Sequence, residues 1–196
     1  MLRVLRILAP NPGAYTLEGT NTWIVGEDPA VVIDPGPDDL PGHLEEVARA
    51  AGPIGVVLVT HDHPDHAPGA AAFAAMVGAS LYAFRLPGSE HLRDGQVLRA
   101  GALSLTAVHT PGHTSDHVVF FEPTTRALFS GDAVLGRGRA SSTRRTAIWP
   151  VTCGRSAGCR SSGRGRSTRG TGRSCWTLPR SSGSTPSTAR NVRRRS

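Results

Sequence analysis

The first two-thirds of this 196-residue chain predicts an α/β layered domain. Short apolar runs of strand length recur between Gly and Pro punctuation. Two segments with helical apolar spacing lie among them, and a dense string of histidine and aspartate follows one of the most apolar runs.

From the N-terminus, VLRILA (4–9), TNTWIVG (20–26) and AVVID (30–34) read as short strands bounded by turn residues. Residues 38–52 predict a helix: Asp38 or Asp39 is placed to cap it, Pro41 suits its first turn, and Leu44, Val47, Ala48 and Ala51 share a face. GVVLVT (55–60) is a continuous apolar run, as expected of a strand buried on both sides. Residues 67–79 predict a second helix with Pro68 in its first turn. SLYAF (80–84), ALSLTAVH (102–109), HVVFFE (117–122) and ALFSGD (127–132) add four more strands. The N-terminal run is basic and apolar, but Arg6, Pro10 and Pro12 interrupt it and no small-residue cleavage site follows, so it reads as a first strand rather than a signal peptide. No stretch of 18 apolar residues is present, no membrane segment is expected, and a cytoplasmic location is the default expectation.

The net charge of +7 conceals a split. Residues 1–136 hold all 15 acidic residues and all 8 histidines with only 7 arginines, a net −8. Residues 137–196 hold 15 arginines, no acid and no histidine, a net +15, and lysine is absent throughout. The tail has no sustained period of 2 or 3.6 and few apolar residues, which predicts a disordered Arg/Ser/Gly-rich segment. Cys153, Cys159 and Cys175 all lie in it, with no CxxC pair and no nearby histidine, so neither a zinc ribbon nor a disulfide framework is expected.

The chemistry concentrates in VTHDHPDHAPG (59–69), immediately past the apolar run 55–60. Open α/β sheets bind ligands at such strand ends. In an extended segment His61 and His63 point to one side, Pro64 keeps His63 out of the helical region, and Asp65 and His66 follow around a turn. One turn thus presents two pairs of imidazole and carboxylate donors, a set that zinc, iron and manganese all accept.

The string THDHPDH resembles the signature of the metallo-β-lactamase superfamily. The likeness continues through NPGAYTLEGTNTWIVG (11–26), VIDPGP (32–37), HTPGHTSDH (109–117) and LFSGDAVLGRG (128–138), in order and at matching spacing. It is strongest toward the glyoxalase II-like hydrolases and the branch containing the soluble mitochondrial endoribonuclease. The resemblance implies an αββα four-layer sandwich, of which residues 1–138 supply the N-terminal two-thirds and the C-terminal half is incomplete. It also implies two zinc ions, with iron or manganese as alternatives. His61, His63 and His113 would hold the first ion, Asp65 and His66 the second, and Asp132 would bridge them. Asp65 would also orient the hydroxide that two ions about 3.5–4 Å apart generate. The implied reaction is hydrolysis of a thioester, an ester or a phosphodiester, with a small-molecule or RNA substrate and no particular protein partner. Asp34 is expected to support the site rather than ligate. His109 and His117 are expected to be satisfied structural histidines, with substrate contact as the alternative, and His43, in a helix, and His91, in a loop, carry no assignment.

The family also has a C-terminal histidine in a Tyr-Pro-Gly-His-Gly-Pro-like loop, and this chain has no histidine after His117. A one-base shift of reading frame supplies it. Let each true codon take the last base of one written residue and the first two of the next. Thr168, Arg169, Gly170, Thr171, Gly172 and Arg173 then fix second and third bases AC, CG, GG, AC, GG and CG. Permitted first bases T, C, G, C, G and C complete Tyr-Pro-Gly-His-Gly-Pro, its histidine arising at Thr171. The same shift permits family-like segments over residues 141–156 and 184–192. Residues 139–196 are therefore expected to be out-of-frame translation, from a frameshift near Gly138 to Ser141, and the chain as written to bind metal poorly and fold incompletely. The rival expectation takes the tail at face value, as part of a degenerate, non-catalytic metal- or RNA-binding protein that contacts phosphates through arginine.

Overall fold

The computed structural model describes residues 1–135 and, as backbone alone, 175–177. Two sheets carry the fold. The first is formed by β1 (Val4–Leu8), β2 (Asn21–Val25), β3 (Ala30–Ile33), β4 (Ile54–Leu58), β5 (Ser80–Ala83) and β6 (Glu90–His91), in that spatial order. β1, β2 and β3 pair antiparallel, whereas β3, β4, β5 and β6 run parallel. The change of sense follows from the connections: α1 (Pro41–Ala51) joins β3 to β4, and α2 (Gly69–Val77) joins β4 to β5. The second sheet is antiparallel: β7 (Val97–Ala100), β8 (Leu103–His109), β9 (Val118–Glu122), β10 (Ala127–Phe129) and β11 (Cys175–Thr177).

Strand alternation builds two cores. Ile24, Ala30, Val32, Val57, Val59, Leu81 and Ala83 face α1 and α2, where they meet Leu44, Val47, Ala51, Ala70 and Phe73. The intervening residues Trp23, Val25, Val31, Ile33, Val56 and Leu58 face the second sheet and pack on Leu98, Leu105, Ala107, Val118, Phe120 and Phe129. β3 is buried along its whole length because apolar layers cover both its faces. The order helix, sheet, sheet gives the α/β two-sheet fold; a second helical layer would fall outside the described residues.

Several local expectations are corrected. Leu40, not an aspartate, precedes the first turn of α1, and no side chain caps it. Pro68 is the N-cap of α2 rather than a first-turn residue; Gly78 closes that helix in the left-handed region. β6 and β7 escape the sequence reading, and His91 lies in β6 rather than in a loop. Within the tail expected to be disordered, residues 175–177 form β11 against β10. Cys153, Cys159 and the segment 168–173 lie outside the described residues.

Glu122, at the end of β9, accepts from Thr124 N–H at 2.9 Å and from Thr125 N–H and Oγ1–H at 2.7 and 2.6 Å. Burial alone would raise its pKa, but these bonds outweigh it and hold the carboxyl below its ordinary value near 4.5. A folded-state pKa below the unfolded one contributes stability that is full above the unfolded value and lost as pH falls through the folded one. Glu122→Gln is therefore expected to cost about 1 kcal/mol at pH 7. Urea melts should show the gap to wild type narrowing below pH 4.5; a gap independent of pH would contradict the assignment.

Candidate metal centre

The parallel strands end where the two sheets meet, and Val118 N–H ties the second sheet to Thr60 O there at 2.8 Å. His61 follows β4, but residues 61–66 are not extended. His63 N–H returns to His61 O, and the N–H groups of His66 and Ala67 both reach His63 O, so the segment is wound into tight turns. His61 and His63 still share a side, their ring centroids 4.5 Å apart. Loop 110–117 brings His113 from the second sheet, and a 3-10 turn over Gly131–Ala133 brings Asp132 from the end of β10.

One donor atom from each of His61, His63, His113 and Asp132 lies within 4.8 Å of the others. His113 Nε2 faces His63 Nδ1 at 3.0 Å and Asp132 Oδ2 at 3.4 Å. Asp132 turns its other oxygen toward His66 Nε2, 3.7 Å away, and His66 Nε2 also lies 3.2 Å from Asp65 Oδ2. The carboxylate of Asp132 thus stands between the His113 side of the cluster and the Asp65–His66 side.

His61 tests whether these residues fit a cation. It is 2% exposed, and its Nδ1–H donates to Thr60 Oγ1 at 2.9 Å. Its Nε2 then has no hydrogen-bond partner among the described residues, though buried polar atoms normally have one. Burial first, then the imidazoles of His66, His117, His63 and His113, hold its pKa far below the ordinary range. A buried, bare, unprotonated nitrogen aimed among further imidazoles and a carboxylate fits a divalent metal.

A ring of supports orients these donors. Asp34, left by β3 in the positive-φ region at 53°, accepts from Thr60 N–H at 2.7 Å, Thr60 Oγ1–H at 2.8 Å and His66 Nδ1–H at 3.0 Å. Through Thr60 it fixes the tautomer of His61, and directly it turns His66 Nε2 toward the cluster. Burial opposes the charge on His66, but Asp34 and then Asp65 outweigh it and raise its pKa well above the ordinary value. Asp65 is pulled the other way: burial opposes ionisation, but bonds from His66 and Thr20 hold it far below the usual carboxylate range. His43, which carried no assignment, sits behind this layer with Nε2 2.9 Å from Thr22 Oγ1, whose hydroxyl donates to Asp34 O.

His109 is satisfied, with Nε2 on Ser115 O at 2.9 Å and its ring stacked on Phe84 at 4.0 Å. His117 is only half so. Its Nδ1 meets Thr110 Oγ1 at 2.9 Å, while its buried Nε2 has no hydrogen-bond partner among the described residues; burial first brings its pKa down to about 4. The supporting Thr20, Thr60 and Thr110 were not singled out from sequence, although Thr60 directly precedes the histidine string.

Gly131 explains how Asp132 comes so close. Its φ is +47°, and a Cβ there would meet Thr60 Oγ1 at 2.8 Å and His117 Nε2 at 2.9 Å. Gly131→Ala is expected to cost about 1–3 kcal/mol from backbone strain alone and to shift Asp132 and His61 apart. Parallel urea melts and zinc titrations check this; wild-type values in both would contradict it.

Fold and site together define a two-sheet α/β protein built around a candidate metal centre. The Metallo-beta-lactamase superfamily matches residues 15–102 and 80–182, and the chain belongs to that family. It is 38% identical over 145 residues to the lactamase-like protein aptB of Emericella nidulans, covering 69% of this chain and 47% of that protein. It is 37% identical over 145 residues to an atrochrysone carboxyl ACP thioesterase of Aspergillus chevalieri, again 69% and 47%. The chain spans about half the length of these relatives. Among solved structures, ETHE1 from Myxococcus xanthus superposes with a TM-score of 0.56 at 26% identity, over 70% of this chain and 60% of that one. A metallo-beta-lactamase family protein from Thermus thermophilus shares the fold, with a TM-score of 0.58 at 21% identity, over 72% and 62%.

Proposed function

We propose that this is the site of a zinc-dependent thioester hydrolase, with His61, His63 and His113 holding one ion, Asp65 and His66 a second, and Asp132 between them. The observation that carries the reading is His61 Nε2, buried and without a hydrogen-bond partner among the described residues, at the heart of a four-donor cluster. Two divalent ions in such a site supply the Lewis acidity that activates water and polarises a carbonyl. The chain's own residues do the rest. Asp34 and Thr60 hold the imidazoles in the ligating tautomer, Asp132 ties the two halves, and Asp65 is placed to orient the attacking hydroxide. A thioester is favoured over an ester or an RNA phosphodiester because relatives at 35–37% identity are named as ACP thioesterases. The glyoxalase II-like placement accords with that chemistry, and a cytoplasmic location is part of the same proposal.

The first-ion set is complete in this chain, whereas the second lacks the family's last histidine. We attribute that loss to a frameshift near Gly138 to Ser141 and propose that turnover by the 196-residue chain is impaired. The test is thiol release from an acyl-pantetheine thioester, followed with a chromogenic thiol reagent. Slow release that needs zinc and disappears in His61→Ala supports the reading. Release indifferent to chelation and to that substitution overturns it, as does RNA cleavage at this site with no thioester turnover.

A further inference from the structure

The bond from Thr20 to Asp65 lies outside the Asp34 support, and its partners settle its direction. Asn11 Oδ1 accepts from Thr20 N–H at 2.9 Å, which identifies the oxygen end of the amide. Asn11 Nδ2–H is then the donor to Thr20 Oγ1, at 3.1 Å. With that contact made, the single hydroxyl proton of Thr20 is left for Asp65 Oδ2, 2.8 Å away. Thr20 is 4% exposed, so water does not compete for the proton. The base of the loop is also fixed, since Ala9 N–H donates to Thr20 O at 2.9 Å and Thr16 Oγ1–H to Asn11 O at 2.5 Å.

We propose that Asn11 and Thr20 are positioning residues for Asp65: Asn11 sets the direction of the Thr20 hydroxyl, and that hydroxyl pins the carboxylate that, with His66, holds the second metal ion. The inference rests on the ligand role proposed for Asp65. It concerns a part of the molecule remote in sequence, 45 residues from Asp65 to Thr20 and 9 more to Asn11. A buried hydroxyl aimed at a carboxylate removes the carboxylate's freedom to rotate before a metal arrives. Metal affinity commonly falls 10–100-fold, on the order of magnitude, when such an outer partner is lost.

The test is a cobalt titration of the full 196-residue chain, read by visible absorption, with thermal melts of each metal-free variant alongside. Wild type is expected to take up one ion at the complete His61, His63 and His113 set and a second more weakly. Thr20→Val keeps the shape and removes the proton, and is expected to weaken the second step by about 10–100-fold while the first stays within about twofold. Thr20→Ser should restore the second step. Asn11→Asp replaces the donor by an acceptor that draws the Thr20 proton away from Asp65, so it should behave like Thr20→Val. A second step unchanged in Thr20→Val overturns the inference alone, and so does a parallel loss of both steps and of melting temperature that Thr20→Ser does not rescue. A wild-type chain that takes up no cobalt overturns the metal reading and this inference together.

Discussion

Replacing His61 by alanine is expected to lower the chain's affinity for zinc by more than about 100-fold, beyond the usual cost of losing a mere outer partner. The reason lies in its surroundings. Four other imidazoles lie around His61, with ring centroids of His63, His66, His113 and His117 at 4.4–5.0 Å. Its Nδ1 is committed to Thr60, so only Nε2 is available, and that atom has no hydrogen-bond partner among the described residues. Because burial and the neighbouring rings keep it unprotonated, zinc displaces no proton from it at neutral pH. The metal-free protein should respond differently. Leaving a buried polar atom unpaired costs about 1–3 kcal/mol, which partly offsets the cavity that alanine leaves. The melting temperature without metal should therefore move little, while the rise that zinc produces in wild type should vanish. Calorimetric titration and melts with and without zinc separate the two effects. Equal zinc affinity in the variant would remove His61 from the ligand set.

If the proposed frameshift near Gly138 to Ser141 is real, correcting it is expected to raise zinc-dependent thioester turnover by more than about 100-fold, since it would return a ligand rather than an outer partner. The sequence supports this at one place above all: the written Thr168 to Arg173 permits Tyr-Pro-Gly-His-Gly-Pro in the shifted frame, with a histidine at Thr171. The charge break agrees, because every acidic residue lies before 137 and 15 arginines lie after 136. The corrected gene, expressed beside the written one, should bind a second zinc ion tightly and turn over the thioester. Sequencing the source DNA across codons 136–142 decides whether the shift is in the gene or in its record. A corrected protein no more active than the 196-residue chain would count against the frameshift as the cause of impairment.

How much was legible follows from which interactions are local. β3 and β4 could be read because apolar cover on both faces forces unbroken apolar runs. β7 could not, since VLRA alternates a half-exposed Val97 and an exposed Arg99 with buried Leu98 and Ala100, too short a pattern to distinguish from a turn. The start of α1 was misread because Asp38 and Asp39 have cap chemistry, yet the turn placed Leu40 at the boundary. Within the site, His61, His63, Asp65 and His66 were conspicuous as one string. His113 and Asp132 drew notice only through the order of motifs resembling a known family. The contacts of Asp34, Thr20 and Asn11 join residues 9 to 45 positions apart, and no local pattern encodes such distances.

The reading of His61, His63, His113 and Asp132 as a metal site stands or falls with where zinc binds. Anomalous diffraction at the zinc edge from crystals of the zinc-loaded chain tests it most directly. A peak is expected about 2.0–2.1 Å from His61 Nε2, with His63 and His113 nitrogens at similar distances and Asp132 beside it. No peak at the cluster, or zinc held instead at His91 or His109, would contradict it.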